Sequence, residues 1–101
     1  MICASDIRHM IASLEDATEE PHHHLTSFRI NGKIFATMPA DASFLNIFVN
    51  EQEREAMLGM HPNAYEKVWW GKKVMGIRAL PEKAQKEDVA RLLKIACQDK
   101  S

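Results

Sequence analysis

The chain has 101 residues, of which 46% are apolar and 27% are charged, and its formal net charge at pH 7 is -1. This length predicts one domain over residues 1–101 without a separate cofactor domain, and the composition excludes a disordered or fibrous protein. A nearly neutral chain has no overall attraction to nucleic acid or anionic lipid. Any such attraction has to be local.

The cysteines and the apolar pattern predict a cellular compartment. Cys3 and Cys97 are too few and too far apart in sequence to indicate a disulfide framework. The sequence shows no secretion signal and no apolar run long enough to span a bilayer. We therefore expect a reduced, cytoplasmic protein that makes no contact with a membrane.

The first element is predicted to be an amphipathic helix that begins at Ser5 and Asp6, residues typical of helix starts. Its apolar side chains recur at helical spacing, at Ile7, Met10, Ile11 and Leu14. Like charges and a proline in the segment 15–21 oppose further helix. We interpret the carboxylates of that segment as a solvated acidic linker, formed by Glu15, Asp16, Glu19 and Glu20.

Two β-hairpins are predicted. Asn31-Gly32 lies between apolar strands and is the strongest short hairpin signal, because both central residues of a type I′ turn need positive φ. A two-residue turn pairs Phe28 with Phe35, and we expect both of these side chains and Ile30 in the core. A second hairpin is predicted from Tyr65 to Leu80, with its turn near residues 70–72.

The remaining elements complete a two-layer arrangement. A third strand is predicted at 44–49 with both faces covered, and Asn50 with Glu53 resembles a helix cap before a short helix that Gly59 closes. A last helix follows Pro81, with an apolar stripe at Val89, Leu92, Leu93, Ala96 and Cys97. The predicted fold class is α+β, with an antiparallel sheet and the order α-β-β-β-α-β-β-α.

Three stretches of this sequence resemble the MmcQ/YjbR family. They are SFRINGKIFATM at 27–38, HPNAYEK at 61–67 and the ARLLKIA pattern near the end of the last helix. The resemblance covers about Ser5 to Gln98. It implies a fold related to secretion-chaperone-like α+β domains, and it implies DNA binding, since members of the family commonly carry that label.

The residues themselves offer a candidate DNA-binding surface. The segment from Lys67 to Arg78 contains four basic residues and no acid, with Tyr65, Trp69 and Trp70 close by. Lysines and arginines neutralise phosphates while an aromatic ring stacks on an exposed base. If the two hairpins are adjacent, the first one extends this surface. The predicted nucleic-acid-binding residues are Arg29, Lys33, Lys67, Trp70, Lys72, Lys73 and Arg78.

Two structural alternatives stand beside that prediction. Basic side chains on a strand also protect an exposed sheet edge from pairing with other chains. The two tryptophans are equally well explained as one core residue and one surface lid. A protein-interaction module, chaperone-like or self-associating, is the alternative function, with Met38, Met60, Met75 and Trp70 as its candidate apolar surface.

The three consecutive histidines, His22 to His24, raise the question of a metal site. In an extended segment His22 and His24 point to the same side and offer two ligands. A third ligand has to come from His9, His61, Glu19 or Glu20, and nothing in the spacing selects one. Histidines at a strand entrance are the simpler interpretation, so we predict no metal site, with His22 and His24 as its only candidates.

No group of residues in the sequence indicates a reaction. Cys3 lies near the chain terminus, and Cys97 falls on the apolar stripe of the last helix, where a buried thiol is expected. The sequence contains no phosphate loop, dinucleotide fingerprint or nucleophile elbow. We therefore expect a protein that is not an enzyme and needs no cofactor, with DNA, a protein partner or a second copy as its partner.

Overall fold

The computed structural model describes all 101 residues and contains three helices and six strands. In chain order the elements are α1 (Ala4–Ala12), β1 (Ala17–His22), β2 (Leu25–Ile30), β3 (Lys33–Met38), β4 (Leu45–Ile47), α2 (Glu51–Met60), β5 (Tyr65–Trp70), β6 (Lys73–Ala79) and α3 (Lys86–Lys100). The predicted fold class, α+β with an antiparallel sheet, is confirmed. The predicted order lacks one strand, β1.

The strand that the sequence did not predict is formed by the segment that we expected to be an acidic linker. Its adjacent carboxylates are tolerated because Glu19 and Glu20 point to opposite faces of β1. Glu19 lies 3.0 Å from the guanidinium of Arg8, and Glu20 lies 3.8 Å from that of Arg29. Pro21 is compatible with an edge strand, which pairs on one side only. Charge pairing with distant residues therefore stabilises a strand in a segment that lacks local strand signals.

The histidine run forms a turn instead of a strand entrance. His22 is the last residue of β1 and pairs with Leu25, so His23 and His24 make the two-residue connection to β2. His23 adopts a φ of 57°, in the left-handed region that such tight connections use. The run therefore marks a hairpin that precedes the one predicted at Asn31-Gly32.

The hairpin predicted at Asn31-Gly32 is confirmed. Asn31 and Gly32 have φ values of 53° and 77°, and Ile30 pairs with Lys33 across the turn. Both central residues thus have the positive φ that a type I′ turn requires.

The expected pairing of Phe28 with Phe35 is wrong, although both residues are buried as predicted, together with Ile30. Phe28 pairs with Ala36, because a β-bulge shifts the register of β2 against β3 next to it. A bulge opposes two residues on one strand to a single residue on the other. The shift is a property of the strand pair, and alternation within either strand does not predict it.

The six strands form one antiparallel sheet in the order β1-β2-β3-β4-β6-β5, which makes β1 and β5 its edges. The core lies between one face of this sheet and the helices, and it contains 22 buried residues. Phe28, Phe35 and Ile77 from the sheet meet Leu92 and Leu93 from α3 there, all of them fully buried. The predicted apolar stripe of the last helix is thereby confirmed.

A row of polar residues crosses the other face of the sheet, one from each strand and each opposite the next. Its members, from β1 to β5, are Glu20, Ser27, Thr37, Asn46, Arg78 and Glu66. Ser27, Thr37 and Asn46 are the buried polar residues of the protein. We call this side the polar face of the sheet, and it has no helix-packed core.

The helix ends agree with the sequence in part. The cap of α2 is confirmed, since the side-chain oxygen of Asn50 accepts a hydrogen bond of 2.9 Å from the backbone N–H of Glu53. Gly59 lies inside α2, which ends at Met60, so the expectation that it closes the helix is wrong. α1 begins before Ser5, and the Asp6 carboxylate accepts the N–H of its N-cap residue. None of the three helices has the length and apolar character needed to cross a bilayer.

Candidate nucleic-acid interface

The second hairpin extends past β4, its neighbour in the sheet. Trp70 pairs with Lys73, and Gly71, with a φ of 61°, begins the two-residue turn between them. The neighbouring strand β4 has only three residues and pairs with the distal part of β6, ending at Ile77. Lys67 pairs with Ile77 and so lies level with the end of β4, and the residues after it extend past β4. We call residues 67–75 the hairpin tip.

Both tryptophans of the hairpin tip face solvent. Trp69 is 59% exposed and Trp70 is 75% exposed. The expectation that one of them fills the core is wrong, because an edge strand that extends past its neighbours has no layer of the protein to cover its side chains. Two large aromatic surfaces are thus available to a ligand or partner.

Three lysines of the predicted site surround these rings. Lys67, Lys72 and Lys73 are exposed, and the Lys67 ammonium lies 5.9 Å from the centroid of the Trp69 ring, at cation–π distance. None of the three has a carboxylate oxygen within 4.0 Å. Their positive charge is therefore uncompensated by an ion pair within the protein.

The two predicted arginines lie elsewhere and are already bound. Arg29 donates a hydrogen bond of 3.0 Å to the Ser27 hydroxyl, and its guanidinium lies near Glu20. Arg78 donates a hydrogen bond of 2.9 Å to the side-chain oxygen of Asn46. Both arginines are partly buried on the polar face. They hold the sheet together and do not join the lysines of the hairpin tip.

Arg78 is the more firmly fixed of the two. Its guanidinium carbon lies 4.3 Å from the centroid of the Phe44 ring, and one of its terminal nitrogens lies 3.9 Å from the Glu66 carboxylate. Stacking and ion pairing orient the side chain along the sheet. Its Nε hydrogen bond in turn orients the amide of Asn46.

Lys33 belongs to the first hairpin, and the structure does not place it beside the second one. The antiparallel register directs the Asn31-Gly32 turn and the Gly71-Lys72 turn to the same end of the sheet. β4 and the chain that follows it lie between them, so β3 and β6 are two strand spacings apart, about 10 Å. The two hairpins are therefore not adjacent, which is the condition under which the first one would extend the basic surface.

A groove of about 600 Å³ runs from the polar face to the hairpin tip. Thr37 and Asn46 lie in its middle, and Phe48, Trp70 and Met75 contribute apolar walls. His22 and Leu25 line it from the first strands, and Asn50, Asp99 and Lys100 line it near the end of α3. The groove thus joins exposed aromatic rings to buried polar groups.

A glycine lets the hairpin approach this groove closely. A Cβ atom at Gly76 would meet the carbonyl oxygen of Ile47, and it would lie 3.0 Å from the Cα and 3.1 Å from the ring of Phe48. Only glycine leaves room for the chain after β4 to cross β6 at this point. Gly76 thereby fixes the position of Phe48 in the groove wall.

The family model named YjbR matches residues 12–96, a span that includes all six strands and α2. The chain belongs to the YjbR family. Neither a search of curated proteins nor a search of solved structures found a match. Family membership is thus established over most of the chain, while the role of the groove has to be argued from its residues.

The histidine run of this YjbR-family chain does not come together with further metal ligands. No group of three or more His, Cys, Asp or Glu side chains is arranged to hold a metal ion. His22 packs edge-on against His23, with ring centroids 4.6 Å apart, and faces the groove. His24 is exposed in the turn. The histidines are therefore better placed to line the groove and form a turn than to bind a metal.

Three residues of the site in this YjbR-family chain are absent from the set predicted from the sequence. Trp69 is one of them, although it shares the hairpin tip with Trp70. Thr37 and Asn46 are the others, because each lies between apolar residues of its strand and no sequence motif marks it. The signal that identifies them is their pairing in the row across the polar face, which depends on the register between strands.

Proposed function

We propose that the protein binds single-stranded DNA through the hairpin tip. The observation that supports this function is the presence of two exposed tryptophans beside three lysines that have no carboxylate partner. Proteins that bind single strands combine basic side chains along the backbone with aromatic rings on which unpaired bases stack. The hairpin tip provides both groups on one projecting element.

The expected strength of this binding follows from the two contributions. Stacking on an aromatic side chain is worth about 1–3 kcal/mol per base. Three phosphate contacts, from Lys67, Lys72 and Lys73, would give a slope of about -2 for log K against log salt. We therefore expect moderate affinity at low salt that weakens as salt increases, with little contribution from the nearly neutral remainder of the chain.

The proposed role is binding without catalysis and without a cofactor. Burial raises the pKa of the Cys97 thiol, which makes it a poor nucleophile. Cys3 occupies the N-cap of α1, where its sulfur lies 3.2 Å from the Asp6 carboxylate. Both thiols are unpaired, in agreement with the reducing cytoplasm that we propose as the location.

Charge reversal on the hairpin tip tests the proposal. Lys72→Glu with Lys73→Glu should weaken binding to a labelled single-stranded oligonucleotide in fluorescence anisotropy and reduce the salt slope to about -0.7. Lys83→Glu with Lys94→Glu is the matched control, since it makes the same change in net charge at exposed positions outside the hairpin. If both pairs of substitutions have the same effect, or neither has any, the hairpin tip is not the binding surface.

Self-association is a second candidate function, and the position of β5 favours it. β5 is an edge of the sheet, so one side of its backbone is available to pair with a strand of another copy. Its exposed tryptophans and the 61% exposed Met60 of α2 would add apolar contact. Of the other methionines considered for such a surface, Met38 is fully buried and Met75 lines the groove.

Sedimentation velocity separates this candidate from DNA binding. Self-association through β5 predicts a sedimentation coefficient that increases with protein concentration in the absence of DNA. Lys67→Pro should abolish the increase, because the N–H of Lys67 points away from β6 and proline removes this donor from the free side of the edge strand. A protein that stays monomeric at all concentrations would rule self-association out.

A further inference from the structure

We propose that the groove beside the hairpin tip receives one unpaired base of the bound strand and selects it by its hydrogen-bonding edge. This inference rests on the proposed function and adds a base preference to it. The groups that would select the base are the side chains of Thr37 and Asn46. Neither residue belongs to the hairpin tip.

The orientation of the Asn46 amide is fixed by its neighbours. Arginine only donates hydrogen bonds, so the atom of Asn46 that lies 2.9 Å from Arg78 Nε has to be the side-chain oxygen. The nitrogen then faces Thr37, and it donates one hydrogen to the Thr37 hydroxyl oxygen at 3.1 Å. The second hydrogen of this nitrogen remains without a partner in the protein.

Thr37 also presents a hydrogen-bond donor to the groove. Its hydroxyl oxygen accepts the hydrogen bond from Asn46, and its own hydrogen has no acceptor in the protein. Thr37 and Asn46 are 4% and 6% exposed, and both line the groove. Two hydrogen-bond donors on paired positions of neighbouring strands are thus available at the bottom of a largely apolar groove. Such donors favour a ligand with acceptors, because buried polar groups cost free energy when they are unpaired.

Two neighbouring donors match a base edge with two neighbouring acceptors. Cytosine has this arrangement at O2 and N3, and guanine has it at O6 and N7. The edges of thymine and adenine alternate donors with acceptors and would satisfy only one of the two groups. The groove therefore favours cytosine and guanine over thymine and adenine.

The walls of the groove suit a flat ring, and the charges around it indicate where the strand enters. Phe48 and Trp70 offer aromatic faces, and a volume of about 600 Å³ exceeds what a single base fills. Lys72 and Lys73 lie on the hairpin that carries Trp70, whereas Asp99 lines the groove near the end of α3. Phosphates are attracted to the lysines of the hairpin tip, whereas the opposite charges of Asp99 and Lys100 offset each other at the far end, so the strand should approach from the hairpin tip.

The experiment uses the full chain and labelled oligonucleotides in which every position is abasic except one central base. Anisotropy titrations with cytosine, guanine, thymine or adenine at that position measure the base preference without neighbouring bases. We expect the cytosine and guanine strands to bind at least about fivefold tighter than the other two, which is the discrimination of one well-formed pair of hydrogen bonds. Thr37→Val, which replaces the hydroxyl with a methyl group, should remove this preference and leave the salt slope unchanged.

Three further outcomes make the test decisive. Thr37→Ser keeps the hydroxyl and should keep the preference, while the unchanged salt slope of Thr37→Val excludes loss of folding as the cause of its effect. Salt-dependent binding of all four strands with equal affinity by the unmodified protein would overturn the base pocket and leave the hairpin tip as the DNA-binding surface. Absence of binding to fully based single strands would overturn the proposed function and this inference together.

Discussion

The two edges of the sheet are built in different ways. On β1, Glu19 and Glu20 lie beside arginines, and Pro21 removes a backbone donor. On β5, Trp69 and Trp70 are exposed beside lysines without carboxylate partners. The first edge is protected from pairing with other chains in the manner common to natural sheets, and the second is not.

This difference supports the proposal that a partner binds at the β5 edge. Paired charges and proline make the β1 edge a poor binding surface, since its charged groups already have partners in the protein. The β5 edge keeps its aromatic area and its positive charge free, and the groove opens beside it. The sheet therefore has one structural edge and one edge suited to recognition.

Removal of the two tryptophans from the β5 edge should have the largest effect, and the effect is on the affinity for DNA. Trp69→Ala with Trp70→Ala is expected to weaken binding to single-stranded DNA by at least about thirtyfold, because each of the two rings lost removes a stacking surface worth about 1–3 kcal/mol. Fluorescence anisotropy with a labelled oligonucleotide measures the change. The melting temperature should change little, because both side chains are largely exposed.

Met60→Ala is the control for the loss of an exposed apolar side chain outside the hairpin. It should leave the affinity for DNA unchanged. If the tryptophan variant binds as tightly as the unmodified protein, the β5 edge does not recognise DNA by stacking.

Substitution at Gly76 should destabilise β6, the strand that pairs with β5. Gly76→Ala places a Cβ against the Ile47 carbonyl and the Phe48 backbone, which cannot move aside like a flexible side chain. We expect a loss of about 1–3 kcal/mol in the free energy of unfolding, as for other overpacked sites. Urea denaturation followed by circular dichroism measures it.

Gly59→Ala provides the matched control within the same protein. Gly59 lies in the last turn of α2 with no atom within 4 Å of an added Cβ, so alanine should stabilise the helix by up to about 0.5–1 kcal/mol. Opposite signs for the two substitutions are the expected result. Equal changes in the free energy of unfolding would show that the close approach at Gly76 does not affect stability.

The sequence predicted those features of the fold that depend on neighbouring residues. Asn31 and Gly32 readily adopt the positive φ that their turn requires. Asn50 caps a helix by accepting the N–H of a residue only three positions away. The apolar stripe of α3 follows from helical periodicity alone. Each of these signals is complete within a short segment.

Features that depend on distant contacts could not be predicted in this way. β1 is stabilised by pairing with β2 and by Arg8 of α1, and nothing within its acidic segment predicts either contact. Exposure of Trp69 and Trp70 follows from the short length of β4, a different element. The partners of Arg29 and Arg78 depend on strand register, so the sequence alone assigned both arginines to the DNA-binding surface.

Tyr65 shows that the exposed part of β5 does not extend to the start of the strand. Tyr65 begins β5, is 3% exposed, and its buried hydroxyl has no hydrogen-bond partner. Tyr65→Phe removes this unpaired group and should stabilise the protein by about 1 kcal/mol. Thermal unfolding of the two proteins at neutral pH measures the difference, and a destabilised phenylalanine variant would indicate that the hydroxyl is bound.

The same residue predicts a pH dependence. Burial, with a further contribution from Asp88, raises the pKa of Tyr65 to about 12 from its ordinary value of 10.0. Ionisation is thus easier in the unfolded chain, so the contribution of Tyr65 to stability is complete below pH 10 and is lost as the pH rises toward 12. The advantage of Tyr65→Phe in urea denaturation should therefore grow over this range, and a constant difference would contradict the raised pKa.

The smallest effect is expected at the protected edge. The Arg8 guanidinium donates hydrogen bonds of 3.0–3.2 Å to the Glu19 carboxylate, which joins α1 to β1 and raises the pKa of Arg8. A double-mutant cycle with Arg8→Ala and Glu19→Ala should give only a weak coupling between the two side chains, because exposed ion pairs are screened by water and salt. Hydrogen exchange at the amides of β1 should become faster in each single variant, as the strand loses a contact outside the sheet. If the cycle gives no coupling and the exchange rates do not change, backbone pairing with β2 alone holds β1 in place, and the charges at this edge serve only to keep other chains away.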